Sequence, residues 1–73
     1  MSKLPVVSSR DLIKYLTRKG FQYQRTRGSH HVYKLNERLV CIPERGEVGK
    51  GLLRAILEEA GINRGDFILE WER

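Results

Sequence analysis

The chain changes hydrophobic period twice, and where it does so leaves few folds open. Leu12, Ile13 and Leu16 recur at helical spacing after Ser8 and Ser9, either of which is placed to cap a helix. Asp11 stands three residues after Ser8 as in a capping box, and Gly20 stops the run after Lys19. Over 21–25 the period drops to two, with Phe21, Tyr23 and Arg25 alternating against Gln22 and Gln24, the pattern of a half-buried strand. Arg27-Gly28 is a turn signal, 31–35 reads as a second strand, Asn36-Glu37 as a tight turn and 39–42 as a third strand closed by Pro43.

The helical period returns at Leu52, Leu53, Ile56, Leu57 and Ala60, after a glycine-rich loop over 45–51. Gly61 ends that helix, with Ile62 placed for the apolar contact of a Schellman end. Asn63 and Asp66 resemble the start of a short third helix carrying Phe67, Ile68, Leu69 and Trp71. The expected class is therefore α+β in the order α-β-β-β-α. A three-stranded antiparallel meander should carry both long helices on one face and a short helical tail, leaving its other face free for a ligand or partner.

With 73 residues this reads as one domain, 1–73, that buries only about 60% of its unfolded surface. No apolar run approaches the ~18 residues of a membrane span and no signal-peptide core is visible, so cytoplasm is the expected location and a membrane is not an expected partner. The lone Cys41 excludes an internal disulfide and reads as a small core residue of an apolar strand. The net charge of +5 is uneven. Residues 1–50 hold 11 Lys and Arg against 4 Asp and Glu, net +7, whereas 51–73 hold 3 against 5, net −2. Such asymmetry points to a polyanion, of which nucleic acid is the commonest, over a merely solvated basic face.

The chemistry concentrates in Arg25-Thr26-Arg27-Gly28-Ser29-His30-His31-Val32-Tyr33. Histidine, with an ordinary pKa of about 6.5, exchanges protons near neutral pH. Arginine holds phosphate bidentately, and turn N–H groups at Gly28 and Ser29 add a cradle. Adjacent strand residues point to opposite faces, so the histidines are expected to have different roles: His30 groups with Val32 and Lys34, and His31 with Tyr33 and Leu35. The company of Lys34 favours His30 as the exposed, phosphate-facing histidine, leaving His31 and Tyr33 as secondary candidates. Most strand histidines are structural, and the flanking Arg25, Arg27 and Gly28-Ser29 are what raise this pair above that background.

Two divergent histidines and one cysteine make a poor metal site, so neither metal nor cofactor is expected. A nucleophilic Cys-His pair lacks a visible third, orienting group. Lys50, in Gly49-Lys50-Gly51 at a helix start, is a further phosphate candidate, although the loop lacks Walker spacing. Phe21, Phe67 and Trp71 read as packing residues, while Tyr23 and Tyr33 fit either packing or base stacking.

On these residues the chain resembles the HicA toxin family, small bacterial mRNA interferases paired with HicB antitoxins. The resemblance runs nearly end to end: Leu4-Pro5-Val6-Val7-Ser8, Lys19-Gly20-Phe21, Arg27 to Tyr33, Ile42-Pro43, then Gly49 to Leu57 and Ala60-Gly61-Ile62. The Gly-Ser-His-x-x-Tyr block together with the Leu-Arg-x-Ile-Leu-x-x-Ala-Gly helix is specific, whereas either alone is weak. The resemblance implies a fold like a double-stranded-RNA-binding domain and a catalytic histidine directly after Gly-Ser, here His30. It also implies an antitoxin that covers the basic face and His30. One departure stands out: many relatives carry a second histidine shortly after the strand-three proline, where this chain has Glu44-Arg45.

The expected activity is metal-independent cleavage of RNA. His30 would serve as general base on the ribose 2′-OH or as general acid to the 5′-oxygen, with Arg25, Arg27 and Lys50 on the phosphate. Using the 2′-OH as nucleophile excludes DNA as substrate. Two other classes fit the same fold order: a non-catalytic double-stranded-RNA binder, and a protein-docking module.

Overall fold

The computed structural model describes residues 4–71. In chain order the elements are β1 (Val7–Ser8), α1 (Ser9–Arg18), β2 (Gln22–Arg27), β3 (His30–Leu35), β4 (Arg38–Pro43), β5 (Glu47–Val48), α2 (Lys50–Ala60) and α3 (Arg64–Trp71). The α+β class and the antiparallel β2-β3-β4 meander are as the periodicity requires.

Local chemistry sets most boundaries. The Asp11 N–H donates to Ser8 Oγ at 3.0 Å, making Ser8 the cap of α1. At the other end the Phe21 N–H returns to the Leu16 carbonyl at 3.0 Å across Gly20, which adopts a positive φ of 105°. Asn36 takes the left-handed conformation, φ 55°, in the two-residue turn between β3 and β4. Gly61, φ 73°, closes α2, and Gly61 and Ile62 N–H groups donate to the Glu58 and Leu57 carbonyls.

The core forms where the helices meet β4. Val40 and Ile42 share one buried cluster with Leu12, Tyr15 and Leu16 of α1 and Leu53, Ile56 and Leu57 of α2. Phe67 of α3 completes it, packed edge-on to Tyr15 with centroids 5.0 Å apart and stacked on Trp71 at 5.1 Å. Outside this cluster the Tyr15 hydroxyl donates to Glu70 at 2.7 Å, and Lys19 pairs with the same carboxylate at 3.0 Å, fastening α3 to α1.

The structure corrects three expectations and adds one pair of strands. Strand β2 runs on to Arg27 rather than ending at Arg25, and β3 starts at His30 rather than His31, so the turn is confined to Gly28-Ser29, with Gly28 at φ 60°. β2 is not half-buried. All six of its residues are exposed, because the two helices of 10 and 11 residues cover β4 and stop short of the far edge of the meander. Cys41 is exposed rather than in the core, since the alternation of β4 puts Val40 and Ile42 inward. Finally, Val7 and Ser8 pair with Val48 and Glu47 in a two-stranded antiparallel ribbon too short to announce itself by periodicity.

Candidate functional site

Because the helices leave β2 uncovered, the β2-β3 hairpin projects with both faces accessible, and its register decides what each face carries. Residues directly opposite one another in an antiparallel pair share a face. Arg27 pairs with His30, Arg25 with Val32 and Gln22 with Lys34. Across the other side of β3, His30 pairs with Pro43, Val32 with Cys41 and Lys34 with Leu39. The face turned away from the helices thus collects Arg25, Arg27, His30 and Lys34 around Val32. Val32 is only 2% exposed although it lies outside the main core, because occupied strands flank it on both sides.

The opposite face carries the other histidine. Thr26 pairs with His31 and Tyr23 with Tyr33, and a bulge between Tyr23 and Arg25 lets both registers coexist on β2. His31 Nδ1 and Thr26 Oγ1 lie 2.8 Å apart, and Thr26 Oγ1 is 2.7 Å from the Tyr23 hydroxyl. Tyr23 also meets His31 and Tyr33 edge-on, with centroids 5.8 and 5.7 Å apart. Burial, and then the neighbouring Tyr23, push the Tyr33 phenol above its ordinary pKa, so it stays protonated at neutral pH. This cluster holds His31 in place and stabilises the hairpin through cross-strand ring contacts.

His30 is held more loosely. Its one side-chain partner among the described residues is the adjacent Ser29 Oγ, 3.5 Å from Nδ1, at the limit of a hydrogen bond. The Ser29 carbonyl accepts from the Glu44 N–H at 2.7 Å, which pins the turn to the segment after β4. His30 is therefore an exposed imidazole on a backbone fixed from both sides, beside a guanidinium directly across the strand pair.

Lys50 stands apart from this arrangement. It opens α2 behind the Gly49 cap, on the helix layer that covers the other face of β4. Among the described residues no group of three or more His, Cys, Asp and Glu comes together as metal ligands, and no helix is long and apolar enough to cross a membrane. Sequence reasoning missed the Thr26–Tyr23 partnership with His31. The signal for Thr26 was its parity relative to the turn, which is readable only once the turn is placed at Gly28-Ser29.

Compared with known proteins, residues 9–62 match the family model for the HicA toxin of bacterial toxin-antitoxin systems. The matched span runs from the first residue of α1 to Ile62 just after α2, and it leaves α3 outside. Neither a curated protein nor a solved structure matches the chain significantly.

Proposed function

The chain belongs to the HicA toxin family of bacterial toxin–antitoxin systems, and on that footing we propose that it is an endoribonuclease that cuts messenger RNA on the outer face of the β2-β3 hairpin. The observation that carries this reading is the direct register pairing of Arg27 with His30, with Arg25 and Lys34 on the same accessible face. It sets a proton-exchanging group beside cations suited to a phosphodiester.

In the proposed reaction His30 removes the proton from a ribose 2′-OH. The 2′-oxygen forms a bond to phosphorus, the bond from phosphorus to the 5′-oxygen breaks, and that oxygen leaves with a proton from solvent. The products are a 2′,3′-cyclic phosphate and a 5′-hydroxyl end. Arg25 and Arg27 stabilise the charge that builds on the phosphoryl oxygens, and backbone N–H groups at Gly28 and Ser29 lie beside them. Lys34 holds the neighbouring phosphate. His31 takes no part at this phosphorus, because it faces the other side of the strand. A single positioned acid–base group contributes about 10²–10⁴-fold, a slow rate that still suffices where each cut silences a message. The 2′-OH requirement makes DNA inert. No metal or cofactor enters the scheme.

Within the same reading, an acidic HicB-like antitoxin covers this face by charge complementarity and hides His30. The deciding experiment is RNA cleavage by the purified chain in excess EDTA, beside His30→Ala and His31→Ala. Cleavage by wild type and His31→Ala, with cyclic-phosphate ends, and none by His30→Ala supports the mechanism. Equal cleavage by all three refutes His30 as the catalyst. RNA binding without cleavage by any of them replaces the nuclease with a double-stranded-RNA-binding module.

A further inference from the structure

Beyond the hairpin, the positive charge gathers on α1. Arg10, Lys14 and Arg18 are spaced i, i+4, i+8, so they form a single ridge along the helix, with successive positions about 6 Å apart. All three are exposed, and among the described residues none of them has an ion-pair partner; the pairs present are Lys19 with Glu70 and Arg54 with Glu58. Like charges at i, i+4 repel one another along a helix face. A row of three is thus a surface that favours an anion, which the neighbouring Asp11 and Glu70 offset only in part.

The ridge is joined to the hairpin turn by the backbone. Glu44 N–H donates to the Ser29 carbonyl at 2.7 Å, and two residues on the Gly46 carbonyl accepts from the Ser9 N–H at 2.9 Å. Residues 44–46 thus bridge the turn that carries His30 to the first residue of α1. Arg45, at the centre of that bridge, lines a cleft with Arg10 and Lys14. Among the described residues three carboxylates border the track: Glu44 in this cleft, Asp11 in a neighbouring cleft shared with Lys14 and Arg18, and Glu70, bonded to Tyr15 and Lys19, in a cleft shared with Arg18. Cations outnumber them four to three along a path that begins at the proposed cleavage centre, and of the three carboxylates Glu70 is already engaged by Tyr15 and Lys19.

We infer that Arg45, Arg10, Lys14 and Arg18 form a phosphate track that holds a single RNA strand where it leaves the His30 face and passes round the end of the sheet. The roughly 6 Å step of the ridge is comparable to the spacing of successive phosphates on an extended strand, so each cation takes one phosphate in turn. The track deepens the nuclease reading and rests on it for the identity of the ligand. It acts on affinity for longer RNA and leaves the chemical step alone.

The test uses a short single-stranded 2′-O-methyl RNA, which cannot be cut, and follows affinity as a function of salt. The probe protein is the full chain carrying Arg10→Gln, Lys14→Gln and Arg18→Gln together, with Arg54→Gln as a control on α2. Each lost phosphate contact reduces the slope of log K against log salt by about 0.7 for single strands, so the triple variant should lose about 2, while the control keeps the wild-type slope. On cleavable RNA of the same sequence the triple variant should show a raised KM, on the order of 100-fold at 0.1 M salt, with kcat unchanged. An unchanged slope and KM in a triple variant that still cleaves overturns the track and leaves the nuclease standing. An unchanged RNA slope with loss of acidic antitoxin binding also overturns it, making the ridge a protein-docking surface. A reduced slope in a chain that binds RNA but never cleaves keeps the track and removes the nuclease. No RNA binding by wild type removes both.

Discussion

His30 and His31 are consecutive in the chain and face opposite sides of β3, the first across from Arg27 and the second across from Thr26. One imidazole sits among cations in the open, and the other is tied through Nδ1 to a hydroxyl that is itself tied to a phenol. The two histidines, which strand alternation predicts to have different roles, are therefore separate devices.

That separation sets the first expectation. His30→Ala should lower kcat for RNA cleavage by about 10²–10⁴-fold with an unchanged melting temperature, since the side chain is exposed and weakly bonded. His31→Ala should leave cleavage of a minimal substrate intact and instead lower the melting temperature, because it dissolves the Thr26–Tyr23 cluster. Single-turnover kinetics and thermal denaturation on the same preparations check both halves.

Alkaline stability should report on Tyr15. Burial first, and then its hydrogen bond to the Glu70 carboxylate, raise the Tyr15 pKa well above its ordinary value of about 10. The folded chain thus holds this proton more tightly than the unfolded chain does. Its contribution is complete below about pH 10 and is lost progressively as the pH rises beyond that. Urea midpoints measured from about pH 9 upward should fall in wild type, and should fall less steeply in Tyr15→Phe.

Helix α3 lies outside the family-matched span, yet its Phe67 is fully buried against Tyr15. Phe67→Ala should cost about 3–5 kcal/mol, a large share of the stability of so small a domain. Trp71, stacked on Phe67, provides the fluorescence signal for urea titration. A loss below about 1 kcal/mol would mean that the core closes without α3.

At Gly61 an added side chain would meet both a left-handed backbone and a neighbouring side chain. Gly61 holds φ 73°, and a Cβ there would lie 2.5 Å from Arg38 Cζ, on a guanidinium that donates to the Glu59 carbonyl at 3.3 Å. Gly61→Ala should destabilise by about 1–2 kcal/mol through the left-handed backbone, with a smaller addition from moving the exposed Arg38 guanidinium off the Glu59 carbonyl. In an Arg38→Ala background the cost should shrink without vanishing. A double-mutant cycle by chemical denaturation separates the two contributions.

Much of this molecule was legible in the chain because the deciding physics is local. Ser8 before Asp11, Gly20 after Lys19 and Gly61 before Ile62 mark helix ends through hydrogen bonds that span a few residues. The parity of β3 is equally local: alternation alone separates His30 and Lys34 from His31 and Tyr33, and it places the former on the open face once the turn is known.

What only the tertiary structure decided depends on where elements stop relative to one another. Tyr23 and Arg25 alternate with Gln22 and Gln24 like a half-buried strand, but helices of this length cover β4 and leave β2 bare. Cys41 reads as core until β4 is registered against β3 and its neighbours Val40 and Ile42 take the inner positions. The Val7–Val48 pairing and the stitch from Ser29 through Glu44 and Gly46 to Ser9 join residues far apart in sequence through single backbone hydrogen bonds, which no composition or period encodes. The sequence determined the helices, the three meander strands and which residues of β3 share a face, because these follow from short-range stereochemistry; the bulge that sends Tyr23 and Arg25 to opposite faces of β2 was not legible in the alternation. The tertiary structure alone decided how much of each strand the helices cover and that the turn carrying His30 is stitched to the start of α1, because both arise from packing between distant segments.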